Sequence, residues 1–353
     1  MLFRIIRKVI IIFFLAVVIA AAGFLAYLKV TEYKPAPIAE LAVEGSTEGE
    51  YHVGDQLKIM TWNIGYGALG DNADFFMDNG KMVMTADKKR VQENMDAILS
   101  AIESAKPRIL FLQEVDHNST RSYHLDESQM IRDRMPGYES SFGFNHKAAL
   151  VPYPIPPVGR VEAGVMTFTD SHTTSVKRIQ LPIPFKGLVK MVNLKRCVTE
   201  TRIPVDEKEL VLYNLHLEAY DSGEGKVAQT RMLVRLMETE REKGNYVIAG
   251  GDFNQFLSLE DREAYPEQEG KWQPGIMDTE QFGEGWTFLM DQTTPSCRSL
   301  DQPYAGADHD SFQYYLIDGF IVSDNIQVKE LKTMNLEFKN SDHNPVVLDF
   351  ILQ

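Results

Sequence analysis

Amides, carboxylates and imidazoles recur along this chain in short polar stretches, and each of the first four stretches closes an apolar run. In order the stretches are Thr61-Trp62-Asn63, Gln113-Glu114-Val115, Asn214-Leu215-His216-Leu217, Gly251-Asp252-Phe253-Asn254 and Ser341-Asp342-His343-Asn344-Pro345. Hard oxygen donors such as Asn63, Glu114 and Asp342 suit Mg²⁺, which keeps several waters and takes few protein ligands. A histidine beside them can move a proton or steady developing charge. Together these residue types read as an oxygen-rich magnesium site with a general base.

The elements that must position these groups are legible as patterns. Leu57-Lys58-Ile59-Met60, Ile109-Leu110-Phe111-Leu112, Leu210-Val211-Leu212-Tyr213 and Tyr246-Val247-Ile248-Ala249 read as buried strands. Polar groups at strand ends can meet in one cleft while the strands stay buried. Val91, Met95, Ile98, Leu99 and Ile102 recur at helical spacing, and Val227 to Glu242 forms a second amphipathic helix closed by Gly244. The stretch from His216 to Asp252 is therefore strand, helix, strand. Glu162 to Val198 suggests antiparallel strands, and Tyr314 to Val322 and Pro345 to Leu352 suggest two more. Two apolar loops stand out, Gly65 to Thr85 and the Pro-rich Ala148 to Gly159; proline lacks the donor a central strand needs. They either pack over the core edge or touch lipid or an apolar substrate. An α/β fold with helix-covered sheets follows.

The chain has 353 residues and a formal net charge of −14, which disfavours non-specific nucleic-acid binding, since that affinity comes from Lys and Arg neutralising phosphates. Cys197 and Cys297 match no metal spacing and are either a disulfide or two buried thiols. From Val9 to Leu28 no residue is charged, a run of roughly 20 residues, enough to span a hydrocarbon core as a helix. Arg4, Arg7 and Lys8 precede it, so the positive-inside rule keeps the N-terminus cytoplasmic and exports the rest. A secretory signal cut near Ala20-Ala21-Ala22 is the competing reading; the apolar run continues past it through Phe24, Leu25 and Leu28, which favours a retained anchor. The expected organisation is residues 1–29 as membrane anchor or signal, 30–56 as a polar, turn-rich linker and 57–353 as the catalytic domain.

With Ile317-Asp318-Gly319-Phe320 added, six motifs in order resemble those of the endonuclease/exonuclease/phosphatase superfamily, which includes deoxyribonucleases, neutral sphingomyelinases and inositol-polyphosphate phosphatases. Each motif alone is weak; their shared order from Leu57 to Leu352 is specific. The resemblance implies a four-layer αββα sandwich of two packed mixed sheets, with the site at one edge. It implies a metal-dependent phosphoric ester hydrolase that uses Mg²⁺, with Mn²⁺ as a substitute. Asn63, Glu114 and Asp342 would serve the metal. His343, oriented by Asp318, would lie nearest phosphorus, as a base or as a stabiliser of charge. Asp252 would align the attacking water, and Asn254 and His216 would donate to phosphoryl oxygens. Asn145 would bind phosphate, Glu162 would orient His216, and the role of Arg231 is in doubt because the glutamine that usually follows is missing.

A membrane-tethered, acidic, exported domain with apolar loops favours lipid head groups or small phosphoesters as substrates. The alternative is an extracellular endonuclease using Lys81, Lys88, Lys89, Arg90, Lys147 and Arg160 as a basic groove. Lys88-Lys89-Arg90 also reads as the solvated start of a helix. A catalytically inactive binding module is disfavoured by the intact acidic and histidine set.

Overall fold

Runs such as Leu210–Tyr213 are apolar at every position because both faces of the strand they form are covered. Leu210 and Leu212 face one core, whereas Val211, Tyr213 and Leu215 face another. The same alternation places Ile59, Ile109 and Phe111 inward and Met60, Leu110 and Leu112 outward. The computed structural model describes residues 2–221 and 223–353; Met1 and Ser222, which fall in the expected 1–29 and 57–353 segments, lie outside it.

The main helices are α1 (Leu2–Thr31), α2 (Lys88–Ala105), α3 (Glu127–Arg134), α4 (Gly187–Val192) and α5 (Glu224–Glu242). The main strands are β1 (Ile38–Glu40), β2 (Glu44–Gly45), β3 (Gln56–Asn63), β4 (Ile109–Asp116), β5 (Glu139–Val151), β6 (Gly159–Thr169), β7 (Ser175–Gln180), β8 (Cys197–Val205), β9 (Lys208–His216), β10 (Tyr246–Asp252), β11 (Trp286–Leu289), β12 (Asp318–Ser323), β13 (Ile326–Thr333) and β14 (Val346–Leu352). They make two mixed 7-stranded sheets, ordered β1-β7-β8-β9-β10-β12-β11 and β13-β14-β3-β4-β6-β5-β2. One parallel pair sits near the centre of each sheet, β9 with β10 and β3 with β4, and helices α5 and α2 make the crossovers. The sheets pack face to face over Leu57, Phe111, Leu212, Ile248 and Phe320; α5 covers one outer face and α2 with α3 the other. This is the four-layer αββα sandwich.

The polar stretch 30–56, expected to be a linker, contributes short strands to both sheets. Ile38–Glu40 adds to the edge strand β7, Glu44–Gly45 adds to β5, and Tyr51 is buried, its hydroxyl donating to Asp170 at 2.7 Å. Strands of two or three residues carry no readable alternation, which is why composition alone suggested a linker. The helix before it docks as well: Leu28 is buried, Tyr33 meets Phe144 edge-on at 6.3 Å, and the Arg178 guanidinium lies 5.8 Å above the Tyr33 ring. Among the remaining expectations, α4 interrupts the antiparallel stretch Glu162–Val198, and Cys197 and Cys297 are free buried thiols rather than a disulfide.

Phe111 fills the inter-sheet core with no exposed surface. Its replacement by alanine is expected to cost about 3–5 kcal/mol, read as a lower urea midpoint at unchanged slope for the full chain in detergent. An unchanged midpoint would place Phe111 outside the inter-sheet core.

Candidate active site

Strand register brings the polar stretches to one edge. Asn63, His216 and Asp252 are the last residues of β3, β9 and β10. Asp252 sits across from His216 on one side and from Asp318, the first residue of β12, on the other. Asp342 and His343 lie in the turn before β14, which pairs with β3, and His343 also bridges to Cys297. Glu114 interrupts β4: the register against β6 shifts between Leu112 and Val115, and Glu114 takes φ 55°. A left-handed, non-glycine residue costs about 1–3 kcal/mol and here turns a carboxylate toward the cleft. Gly251 has φ 143°, and a β-carbon there would lie 2.0 Å from the Leu215 carbonyl, so β9 and β10 approach this closely only with glycine.

The side chains interlock. His343 Nδ1 lies 2.8 Å from Asp318 Oδ2, leaving Nε2 facing the cleft, 3.9 Å from both Asp252 and Asp342. Trp62 Nε1 donates to the His343 carbonyl at 2.9 Å, and Ser341 Oγ donates to the Asn63 carbonyl at 2.8 Å. Asn63 Nδ2 donates to Asp252 Oδ2 at 3.0 Å and approaches Glu114 Oε1 at 3.4 Å, while its Oδ1 accepts from Gly65 N–H. In this orientation the Asn63 amide donates toward two carboxylates, and its oxygen accepts from one backbone N–H. His216 Nε2 lies 3.4 Å from Asp252 Oδ2, and its Nδ1 lies 4.0 Å from Glu114.

Burial separates the two histidines. It pulls His216 well below its ordinary range, with Arg196 adding to the effect, so His216 is neutral near pH 7. Burial acts the same way on His343, but Asp318 leads a group of anions that overrides it and holds the imidazole protonated. Burial raises the Asp252 carboxyl, with Asp318 adding, and pushes Asp342 up to about 6, with Glu114 adding. Among the described residues no Lys or Arg pairs with Glu114, Asp252 or Asp342; their ionic neighbours are histidines. Crowded carboxylates without a cation fit a divalent ion in chemical type, with Glu114 and Asp342 as the anionic oxygens available.

These groups line one cleft of about 670 Å³ that also exposes Asn145 and Asn254. Asn145 lies at a register shift of β5 and its Oδ1 accepts from Cys197 N–H at 2.7 Å, which fixes the amide. Asn254 is not extended as its alternation with Asp252 suggested: it takes φ 50°, its N–H bonds Asp252 Oδ1, and Nδ2 donates to Leu217 O. Phe253 nevertheless points into the core and both polar neighbours reach the cleft. Glu162 does not orient His216; it pairs with Arg160 and, at 3.7 Å, with Lys147 on neighbouring backbone. Arg231 is exposed on α5 and has no ion-pair partner among the described residues. The basic groove does not form either: Lys88 starts α2, Lys89 pairs with Glu93, Arg90 with Asp71, and none lines the cleft. Arg196, which the motifs missed, is buried on the cleft wall, donates to the His216 carbonyl at 3.2 Å and lies 3.5 Å from Glu218. Its only sequence signal is a Lys-Arg pair abutting an apolar strand.

The family model described as the Endonuclease/Exonuclease/phosphatase family matches residues 60–302. No curated protein matches by sequence. Among solved structures, an endonuclease/exonuclease/phosphatase from Beutenbergia cavernae superposes with TM-score 0.56 at 17% identity, covering 84% of this chain and 72% of that one. The human Nocturnin catalytic domain, with a bound sulfate anion, gives TM-score 0.51 at 17% identity over 89% of this chain and 97% of its own. ANGEL2, a 2',3'-cyclic phosphatase, gives 0.54 at 14% identity over 88% and 98%.

Two outcomes test this geometry. A cation must displace the proton that Asp342 carries below about pH 6, so affinity is full above that pH and falls as pH drops through it. Magnesium titration calorimetry should show proton release and a loss approaching about tenfold per pH unit below the midpoint; pH-independent affinity would exclude Asp342 as a ligand. Glu162→Gln should leave kcat/KM within about twofold, because the residue lies outside the cleft.

Proposed function

This chain belongs to the endonuclease/exonuclease/phosphatase family and is a metal-dependent phosphoester hydrolase, and from that premise we propose that it uses Mg²⁺ to hydrolyse lipid head-group esters or other small phosphoesters at the outer face of a membrane. One observation carries the reading: three carboxylates without a basic partner share a cleft with a protonated, Asp318-bound imidazole. A bound cation would be held by Glu114 and Asp342 and would supply charge neutralisation at the phosphoryl group.

The chain's own groups account for the rest. Asp252, anchored by the Asn63 amide and the Asn254 N–H, accepts from the attacking water and aligns it on phosphorus. The raised pKa of Asp252 brings it closer to the range useful for proton transfer. His343 points Nε2–H into the cleft while Asp318 holds Nδ1, so it steadies the charge that grows on phosphoryl oxygen as the new P–O bond forms and the leaving oxygen departs. Neutral His216 and the Asn145 amide donate to non-bridging oxygens, and Arg196 adds positive potential behind them. Two histidines in opposite protonation states divide the work because their surroundings differ.

The membrane placement rests on α1, whose apolar window has mean hydropathy 3.1 and is not covered by protein. With Arg4, Arg7 and Lys8 before it, the N-terminus stays in the cytoplasm and the catalytic body faces outward. A nuclease would need free cations along its cleft, whereas Lys147 and Arg160 pair with Glu162 outside it, and Arg121, Arg196 and Lys271 on its wall lie beside Asp116, Glu218 and Asp301.

His343→Ala and Asp252→Ala are each expected to lower kcat/KM for a generic phosphodiester by about 1000-fold or more, with a melting temperature within a few degrees of wild type. Chelation of divalent ions should abolish the wild-type activity and added Mg²⁺ restore it. Hydrolysis that persists after exhaustive chelation would remove the metal from the mechanism.

A further inference from the structure

The catalytic cleft does not end at polar residues. The same cleft that holds Asp252 and His343 is also lined by Phe76 and Tyr153 from the two apolar loops, Leu188 and Val189 from α4, and Phe24 and Leu28 from α1. One continuous trough thus joins the reacting groups to the helix that crosses the membrane.

We propose that the anchor helix is part of the substrate site, and that the cleft takes a phosphoester bearing a long aliphatic chain directly from the outer leaflet. The inference rests on the hydrolase and membrane readings above. Its first support is depth. Phe24 to Leu28 are the last residues of the charge-free run, the final ~6 Å of helix rise before Lys29. That is where acyl chains meet head groups when the run from Val9 spans the hydrocarbon. These are also the α1 residues that form the cleft wall, so the mouth of the cleft and the top of the chains coincide.

The second support is rigidity. A tether on a flexible linker would let the cleft face any direction. Here Leu28 is buried against the domain, and Tyr33 packs on Phe144 and Arg178. The segment after them runs into sheet edges. The catalytic groups are therefore held at a fixed height and orientation over the bilayer.

The third support is the rim. Ile155 is 92% exposed, Tyr153 71% and Leu188 55%. Tyr153 and Leu188 line the cleft, Ile155 lies two residues from Tyr153 in the same loop, and Lys186, the N-cap of α4, and Lys190 within it are exposed beside Leu188. Apolar residues flanked by lysines match the profile of an interfacial contact. Phe76 and Tyr153 meet edge-on at 6.4 Å, so the two loops form one wall, lined by side chains that can accept an alkyl chain.

The test uses the full chain reconstituted with Mg²⁺ in phosphatidylcholine vesicles and two diesters with the same leaving group, nitrophenyl hexadecyl phosphate and nitrophenyl methyl phosphate. In both, water forms a new P–O bond, the bond to nitrophenolate breaks, and the product is the alkyl phosphate. The wild type should favour the hexadecyl ester by about 100-fold in kcat/KM, the scale of moving a few methylene groups out of water. Partitioning into the vesicle is common to all variants, so a change in this ratio reports the cleft. Leu188→Ser with Val189→Ser, and separately Phe24→Ser, should each reduce the ratio by about tenfold. A wild-type ratio near unity, or a ratio unchanged in both variants, overturns the chain-binding cleft while leaving the hydrolase reading standing. No hydrolysis of either ester overturns both.

Discussion

The hydrogen bond from Gln113 Nε2 to Asn214 Oδ1, 2.9 Å long and buried between the two sheets, fixes how one sheet lies on the other. Gln113 also donates to Thr61 Oγ1, and Asn214 donates to the Met166 carbonyl and approaches Thr167 Oγ1 at 3.2 Å, so four strands of the two sheets are tied at one level. A buried amide pair is costly to leave unmet, and this one is met only at a single relative register of the sheets. Glu114 follows Gln113, and His216 lies two residues beyond Asn214, on the same face of β9. Fixing the tie fixes the separation of the groups above it. Apolar contacts such as Phe111 against Leu212 supply the burial, but they tolerate sliding in a way the amides do not.

Above that tie the cleft concentrates negative charge in a low-dielectric place. Burial raises Asp252 and Asp342 and lowers His216, whereas neighbours led by the Asp318 carboxylate reverse the effect of burial on His343. The distinction between a neutral donor and a cationic one follows from neighbours, since both side chains are equally hidden from water. Strained backbone at Glu114 and Asn254 turns these residues out of the strand alternation, and both line the cleft.

The proposed anchor would bear on specificity through geometry. Under the proposed membrane placement, a helix joined to the domain by Leu28, Tyr33 and the edge strands would give the cleft one orientation toward the bilayer. The apolar loops that border it would be a liability on a freely tumbling domain, where exposed Ile155 and Tyr153 invite association. Against the proposed membrane the same surface would be shielded.

The sequence by itself determined the central strands, the helices α2 and α5 and the residues at the strand ends, because each strand buried on both faces must be apolar throughout and must stop at a polar group. It also determined the charge-free helix at the N-terminus. Tertiary structure alone decided what those residues do together. Glu162 was expected beside His216 and pairs instead with Arg160, because side chains two residues apart on one strand face can meet without reaching the neighbouring sheet. Arg196 enters the cleft from a loop with no motif, and the short strands at Ile38–Glu40 and Glu44–Gly45 exist only because open sheet edges offered them partners. Local patterns record which face of an element is buried; they carry no information about which distant element covers it, and the protonation of His216 and His343 depends on that covering.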